Sequence, residues 1–127
     1  MTKPLFRSGR LIATASALRV LQEAGQDPYD LLQRHMTGDW GDVSDDVGKA
    51  NDWSSRSFFT VNIPRICSLY GLPSGLSVWV ITEADRTVTT FLLPEEYQLA
   101  GTQSVGPMVQ LTAVPGATRD LKNQSGQ

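Results

Sequence analysis

The stretch "SVWVITEADRTVTTFLLPEEY", residues 77–97, decides the fold of this 127-residue chain. It begins with alternating strand residues, breaks on a charged tetrad at 83–86, and resumes as a second strand-like run at 87–93 before a proline. Alternating β-branched and aromatic residues favour strands, and a short polar break between two such runs predicts a hairpin. Upstream, residues 65–70 also alternate, and residues 71–75 consist of turn-forming residues. The sequence therefore predicts an antiparallel meander of three strands.

The middle strand of this meander carries bulky residues on both sides. Val78 and Val80 share one face, while Trp79 and Ile81 share the other, because side chains alternate along a strand. A sheet with helices on one side and a partly covered second side accounts for this pattern. The fold class that follows is α+β, with N-terminal α-helices packed on a small antiparallel β-meander.

Two helices are predicted ahead of the meander. The first begins at Thr14 or Ser16, both suitable N-cap residues, and runs to Ala24, just before a glycine. The second has Asp27 as its N-cap, is followed by a proline at the first helical position, and ends before Gly38. Its expected apolar stripe consists of Tyr29, Leu32 and Met36.

The segment that follows is acidic and poor in core residues. Ser44 and the two aspartates after it predict the start of a short helix, which Gly48 weakens. Residues 53–64 fit either an extended segment or an irregular loop. After Tyr97 the composition changes to glycine, serine, threonine and glutamine. We therefore predict one α+β domain over residues 1–97 and a loosely ordered tail over residues 98–127, in which 108–114 could add a short strand.

Charge and composition narrow the classes of function. The formal net charge is −2 and the pI is about 5.2, which argues against a general binder of nucleic acid or anionic membranes. Residues 1–22 hold four basic residues and no acid, whereas residues 23–52 hold eight acids and two basic residues. This asymmetry either orients a partner or keeps the protein in solution.

The single cysteine, Cys67, excludes an intramolecular disulfide and fits a reducing cytoplasm. No apolar run has the length needed to span a bilayer, and the N-terminus has no signal-peptide core. The aspartates at 39–46 lack the fixed frame of a calcium loop. We therefore expect no metal site, no cofactor and no membrane partner, and the sequence leaves the oligomeric state open.

His35, the only histidine, is the first candidate for chemistry. Near a strand meander it could act as a general base toward a ribose hydroxyl. It could equally be a histidine at a helix C-terminus that interacts with the helix dipole. A second candidate is a set of polar strand residues expected to come together across the meander, in which threonines are also ordinary strand residues: Arg65, Ser68, Tyr70, Thr82, Glu83, Arg86, Thr89 and Thr90.

The acidic segment offers a different use, as a surface that occupies a nucleic-acid groove on another protein. A solvated acidic loop would look the same in the sequence. The predicted partner-binding set combines this segment with the tetrad: Asp39, Trp40, Asp42, Asp45, Asp46, Glu83 and Arg86.

Two stretches carry a resemblance to a known family: "RHMTGDWGDVSDDVGKAN", residues 34–51, and "VWVITEADRTVTTFLLPEEY", residues 78–97. They resemble a family of small uncharacterised proteins carried on bacterial plasmids and integrative elements. The resemblance covers residues 5–97 and implies a mobile-element setting. Residues 52–64 depart from the family's pattern, where a shorter helical connection is typical. In size and charge the chain is also similar to anti-CRISPR proteins, which act by occupying a surface of a nucleic-acid-handling complex.

The order of a helix-borne histidine followed by strand-borne arginine, threonine and tyrosine is also similar to the barnase, EndoU, colicin and RelE-like group of metal-independent ribonucleases. On that resemblance His35 would be the base and Arg86 the phosphate contact. Thr89, Thr90 and Tyr97 would form the rest of the pocket, and the substrate would be RNA.

Two functions follow from these observations. The first is a counter-defence binding protein of a mobile element, whose partner is a protein such as a CRISPR effector complex. The alternative is a small metal-independent ribonuclease. The acidic balance favours the first because a ribonuclease must attract a polyanion. The density of polar residues at 82–97 favours the second.

Overall fold

The computed structural model describes residues 3–56, 65–99 and 108–111. Within these ranges the protein has an α+β fold, as the sequence predicts, in which helices lie against a five-stranded sheet. The strands are β1 (Arg10–Thr14), β2 (Ile66–Gly71), β3 (Ser77–Thr82), β4 (Val88–Leu92) and β5 (Met108–Gln110). The helices are α1 (Ala15–Glu23), α2 (Pro28–Met36), α3 (Asp45–Arg56) and α4 (Pro94–Leu99).

The sheet has the strand order β2-β3-β4-β1-β5. The pairs β2/β3 and β3/β4 are antiparallel and form the predicted meander. Strand β1 runs parallel to β4, with Leu11 opposite Thr89, and antiparallel to β5, with Ala13 opposite Val109. The sheet is therefore mixed, and its N-terminal strand inserts between two elements that lie far along the chain.

Strand β1 is the main element that the sequence prediction missed. Its five residues run directly into helix α1, so no turn follows Leu11 and Ile12 to mark the end of a strand in the sequence. The helix itself begins as predicted, since the Thr14 hydroxyl accepts a hydrogen bond from the Ala17 amide at 3.0 Å. Thr14 thus ends a strand and caps a helix at the same time.

Helix α2 has the predicted cap, in which the Asp27 carboxylate accepts from the Tyr29 amide at 2.9 Å. Its buried stripe differs from the predicted one. Leu31, Leu32 and His35 are buried, whereas Tyr29 is only half-buried. The buried side of the helix is therefore shifted by about one residue from the predicted apolar stripe. This shift places His35 inside the protein.

Helices α1 and α2 cover one face of the sheet. Their buried residues, including Ala17, Leu21 and Leu31, form one cluster with Val80 of β3 and Phe91 of β4. Each of these side chains is at most 1% exposed. This inner face of the sheet is therefore the core of the protein, as the alternation along β3 indicates.

Helix α3 begins at the predicted Ser44 cap, whose hydroxyl accepts from the Val47 amide at 3.2 Å. It is longer than predicted and continues to Arg56, so the start of the ambiguous segment 53–64 is helical. Residues 57–64 lie outside the described residues. The helix packs along β2 with a polar inner side, on which Asn51 and Ser54 are each 1% exposed.

The region around Pro94 begins a helix rather than only ending a strand. Pro94 is the first residue of α4, a position that suits its fixed φ. Glu96 accepts hydrogen bonds from the Leu93 amide at 2.9 Å and from the Thr14 hydroxyl at 2.6 Å. These two contacts tie α4 to the junction of β1 and α1.

Strand β5 lies within the predicted tail and confirms a short strand at residues 108–110. Residues 112–114 of that predicted strand, and most of the tail, lie outside the described residues. None of the helices in the described ranges has both the length and the apolar character needed to cross a bilayer.

Candidate functional site

His35 is fully buried between helix α2 and the inner face of the sheet. Its Nδ1 lies 2.6 Å from the Ser68 hydroxyl on β2, and its Nε2 lies 2.9 Å from the Thr82 hydroxyl on β3. The imidazole therefore bridges two strands, and both of its nitrogens are already hydrogen-bonded within the protein.

The neighbouring hydroxyls fix the direction of the hydrogen bonds on the Nε2 side of His35. Thr89 donates to the Ser8 carbonyl at 2.7 Å, so Thr82, 2.6 Å from Thr89, must be the donor in their pair. The Thr82 oxygen then accepts from His35 Nε2–H. His35 therefore carries a proton on Nε2.

Burial, together with the smaller effect of the nearby Arg86 guanidinium, lowers the pKa of His35 to about 3. The surroundings therefore favour the neutral imidazole, in which Nδ1 accepts from the Ser68 hydroxyl. A base with so low a pKa would carry no proton away from a substrate at neutral pH in this closed arrangement.

Phe6 closes the site on the side opposite the strands. Its ring meets the His35 ring edge to face with centroids 5.1 Å apart, and it stacks on Trp40 at 6.4 Å. The segment that carries Phe6 is held by the Leu5 amide, which donates to the Met36 carbonyl at 2.7 Å. Access to the histidine from solvent would require this segment to move.

Arg86 lies at the end of the tetrad in a left-handed backbone conformation, with φ of 61°. Among non-glycine residues this conformation is uncommon and costs free energy. The side chain is well anchored: it donates to the Ser54 hydroxyl at 2.7 Å and to the Ser54 carbonyl at 3.1 Å. Its guanidinium also lies 5.8 Å from the centre of the Phe6 ring. Arg86 therefore joins the hairpin to helix α3 and to the closing aromatic.

The structure brings together only part of the predicted catalytic set. His35, Arg86 and Thr89 share the inner side of the sheet. Thr90 and Tyr97 lie on the outer side, because neighbouring residues of a strand point to opposite faces and Tyr97 packs against Trp79, with ring centroids 5.1 Å apart. The polar strand set divides in the same way between the two faces.

On the outer face a pocket of about 230 Å³ opens over strands β3 and β4. Ile81 and Leu92 form an apolar floor, and the Tyr97 ring forms one wall. Arg65 and Glu83 lie at the rim, where Arg65 Nε donates to a Glu83 carboxylate oxygen at 3.1 Å. Beside them, burial raises the pKa of the Cys67 thiol to about 11, so this thiol is not an activated nucleophile.

The predicted partner-binding set is also divided. Asp42, Asp45 and Asp46 are exposed, and Asp39 is exposed but paired with Arg34 at 2.7 Å. Trp40 is 8% exposed and donates from Nε1 to Asp52 at 2.9 Å, so it anchors the acidic segment to helix α3. Of the two remaining members, Glu83 lines the outer pocket and Arg86 contacts the Phe6 ring.

Trp53 is an exposed residue that the sequence prediction missed. It lies on α3 with 56% of its surface exposed, on the same side of the helix as Asp45, Asp46 and Lys49. The signal that could have identified it was the helical spacing from Ser44, which continues past residue 53. Over the described residues, no three side chains of His, Cys, Asp or Glu are close enough to hold a metal ion.

Comparison of the chain with protein-family models, with curated proteins and with solved structures finds no match.

Proposed function

We propose that this protein acts by binding another protein through the acidic α3 surface, which we define as Asp42, Asp45, Asp46 and Trp53. The observation that carries the proposal is the exposed Trp53. Tryptophans are rarely left so exposed, and where they lie in interfaces they are enriched among the residues that dominate binding.

The charge around Trp53 indicates what kind of partner fits. Asp42, Asp45 and Asp46 are all exposed, and helix α3 carries two basic residues, Lys49 and Arg56. An apolar ring surrounded by carboxylates is complementary to a basic groove with an apolar pocket, and such grooves bind nucleic acid. A partner of this chemistry is the guide-RNA or DNA channel of a CRISPR effector complex.

The mobile-element resemblance supports a counter-defence role for this binding. The inner site supports the alternative function, a metal-independent ribonuclease, less well. His35 has both nitrogens bonded, and Arg86 is held by Ser54 and by the Phe6 ring. What favours the ribonuclease is that His35, Arg86 and Thr89 do lie close together.

The binding proposal is tested by measuring the affinity of purified CRISPR effector complexes for the immobilised protein. Trp53→Ala is expected to weaken binding about 30-fold, the equivalent of about 2 kcal/mol for a central interface residue. The double charge reversal Asp45→Lys and Asp46→Lys should slow association and reduce its dependence on salt.

Asp30→Lys is the matched control, because Asp30 is an exposed acid on helix α2 away from this surface. Equal affinity of the three variants and the wild type would contradict the acidic α3 surface. In a parallel assay, cleavage of a mixed RNA pool that persists in EDTA, and that changes in Phe6→Ala, would favour the ribonuclease instead.

A further inference from the structure

The outer pocket lies apart from the acidic α3 surface and from His35, although Thr90 and Tyr97 belong to the predicted catalytic set and Glu83 to the predicted partner-binding set. Its floor is apolar, its wall is the Tyr97 ring, and its polar groups lie to one side. Ligand sites in proteins commonly combine an apolar lining with a few convergent polar groups that fix orientation. The pocket is smaller than a typical drug site, so it suits a ligand with one ring system.

The polar side of the pocket presents a donor beside an acceptor. Arg65 uses Nε for Glu83, and Glu83 uses one carboxylate oxygen for Arg65. Within the described ranges, the terminal N–H groups of Arg65, the second Glu83 oxygen and the Thr90 hydroxyl have no other hydrogen-bond partner. A planar ligand whose edge faced these groups would meet a guanidinium beside a carboxylate, both of them partly exposed.

The aromatic wall is supported from behind. Tyr97 lies against Trp79 with an interplanar angle of 30°, so its ring is held in place by a second ring. A flat ring stacked on Tyr97 would rest on Ile81 and Leu92. Stacking of a base on an aromatic side chain contributes about 1–3 kcal/mol, and it does not depend on the base's identity.

We propose that this pocket binds a nucleobase, with its ring on Tyr97 and its hydrogen-bonding edge toward Arg65, Glu83 and Thr90. Each nucleobase carries a donor next to an acceptor on that edge, which matches a carboxylate beside a guanidinium. The base could belong to a free nucleoside or to a single-stranded RNA. This site lies on the opposite face of the sheet from His35, and it is independent of the acidic α3 surface.

The experiment titrates the full-length protein with each of the four ribonucleosides, with ribose 5-phosphate and with a short single-stranded RNA, by calorimetry and by NMR of the tryptophan indole N–H signals. Saturable binding of nucleosides with a shift of the Trp79 signal is expected. Glu83→Gln and Thr90→Val should each weaken binding about tenfold, the size expected for loss of one good hydrogen bond.

Tyr97→Leu should weaken binding at least as much, whereas Asp30→Asn, on the far side of the protein, should have no effect. Tighter binding of RNA than of nucleosides would identify the base as part of a strand, and equal binding would identify a free nucleoside. The proposal is overturned if nucleosides do not bind at millimolar concentration, if ribose 5-phosphate binds equally well, or if Glu83→Gln, Thr90→Val and Tyr97→Leu, each with wild-type thermal unfolding, all bind like the wild type.

Discussion

His35 occupies the centre of a hydrogen-bonded chain that runs from Ser68 through Thr82 and Thr89 to the Ser8 carbonyl. The chain connects β2, β3, β4 and the segment ahead of β1. A buried polar chain is stabilising only when each member has its partner, and this one has no unsatisfied side-chain atom in the described residues. In the closed structure the histidine therefore fixes the positions of neighbouring elements.

This placement predicts a loss of stability in mild acid. The pKa of His35 is about 3 in the folded protein and near 6.5 in the unfolded chain, so the unfolded chain binds the extra proton. The free energy of unfolding should have its full value above pH 6.5. It should fall as the pH decreases toward 3, by up to about 1.4 kcal/mol per pH unit. Urea unfolding between pH 6.5 and 5 measures it.

The window above pH 5 keeps the contribution of carboxylates small. His35→Gln retains a polar side chain but cannot titrate, so its free energy of unfolding should be lower at pH 7 and nearly constant from pH 6.5 to 5. Identical slopes in the wild type and this variant would show that the buried histidine does not control the acid response.

Arg86 allows the backbone and side-chain contributions at one position to be separated. Replacement by glycine or by alanine removes the contacts with Ser54 and Phe6 in both cases. Only alanine keeps the cost of the left-handed conformation, because glycine adopts a positive φ without a clash. Arg86→Ala should therefore be about 1 kcal/mol less stable than Arg86→Gly in urea unfolding. Equal stability of the two variants would mean that the turn relaxes to another conformation.

At the scale of elements, strand β2 is an edge strand whose outer hydrogen-bonding groups are covered. The Asn51 side chain donates to the Cys67 carbonyl at 2.7 Å and accepts from the Cys67 amide at 3.0 Å. Further along, Leu69 pairs with the backbone of Trp40 and Asp42 in a short bridge at Gly41. This cover removes a free sheet edge that could pair with another chain.

The Asn51 contact predicts a specific loss when it is removed. Asn51→Ala leaves the Cys67 amide and carbonyl without their partner next to a packed helix, which should lower the free energy of unfolding by about 1–3 kcal/mol. Hydrogen exchange at the Cys67 amide should accelerate more than exchange in β3. Ala50→Ser, at an exposed position of the same helix, is the control. Unchanged exchange at Cys67 in Asn51→Ala would refute the role of Asn51 at this edge.

The sequence predicts an element well when the residues that define the element lie close together in the chain. The caps at Asp27 and Ser44 each act within one helical turn, and both predictions are confirmed. Of the two candidates for the first helix, Thr14 and Ser16, the structure has Thr14 as the cap. Strand β1 was missed because it is defined by pairing with β4, far along the chain. Helix α4 was missed because its proline was taken only as the end of a strand.

In the whole molecule the sheet has two faces that are not in contact with each other. The residues of the predicted catalytic site are divided between these two faces. Thr89 and Thr90 could have been assigned to opposite faces from the alternation of a strand alone. The role of Phe6 could not have been predicted in this way, because nothing in the local sequence connects Phe6 to His35 or to Arg86. Trp53 begins the segment 53–64, for which the sequence indicates either an extended segment or an irregular loop, and neither alternative predicts its place on α3.

The position of β1 between β4 and β5 affects how the protein folds during synthesis. On a ribosome this strand leaves the exit tunnel long before β4 exists, so the nascent chain must carry it unpaired through most of synthesis. Phe6 lies just ahead of β1, and Thr89, which is hydrogen-bonded to Thr82 in the network around His35, lies on β4. The hydrogen-bonded network that holds the histidine is therefore complete only after β4 has been made.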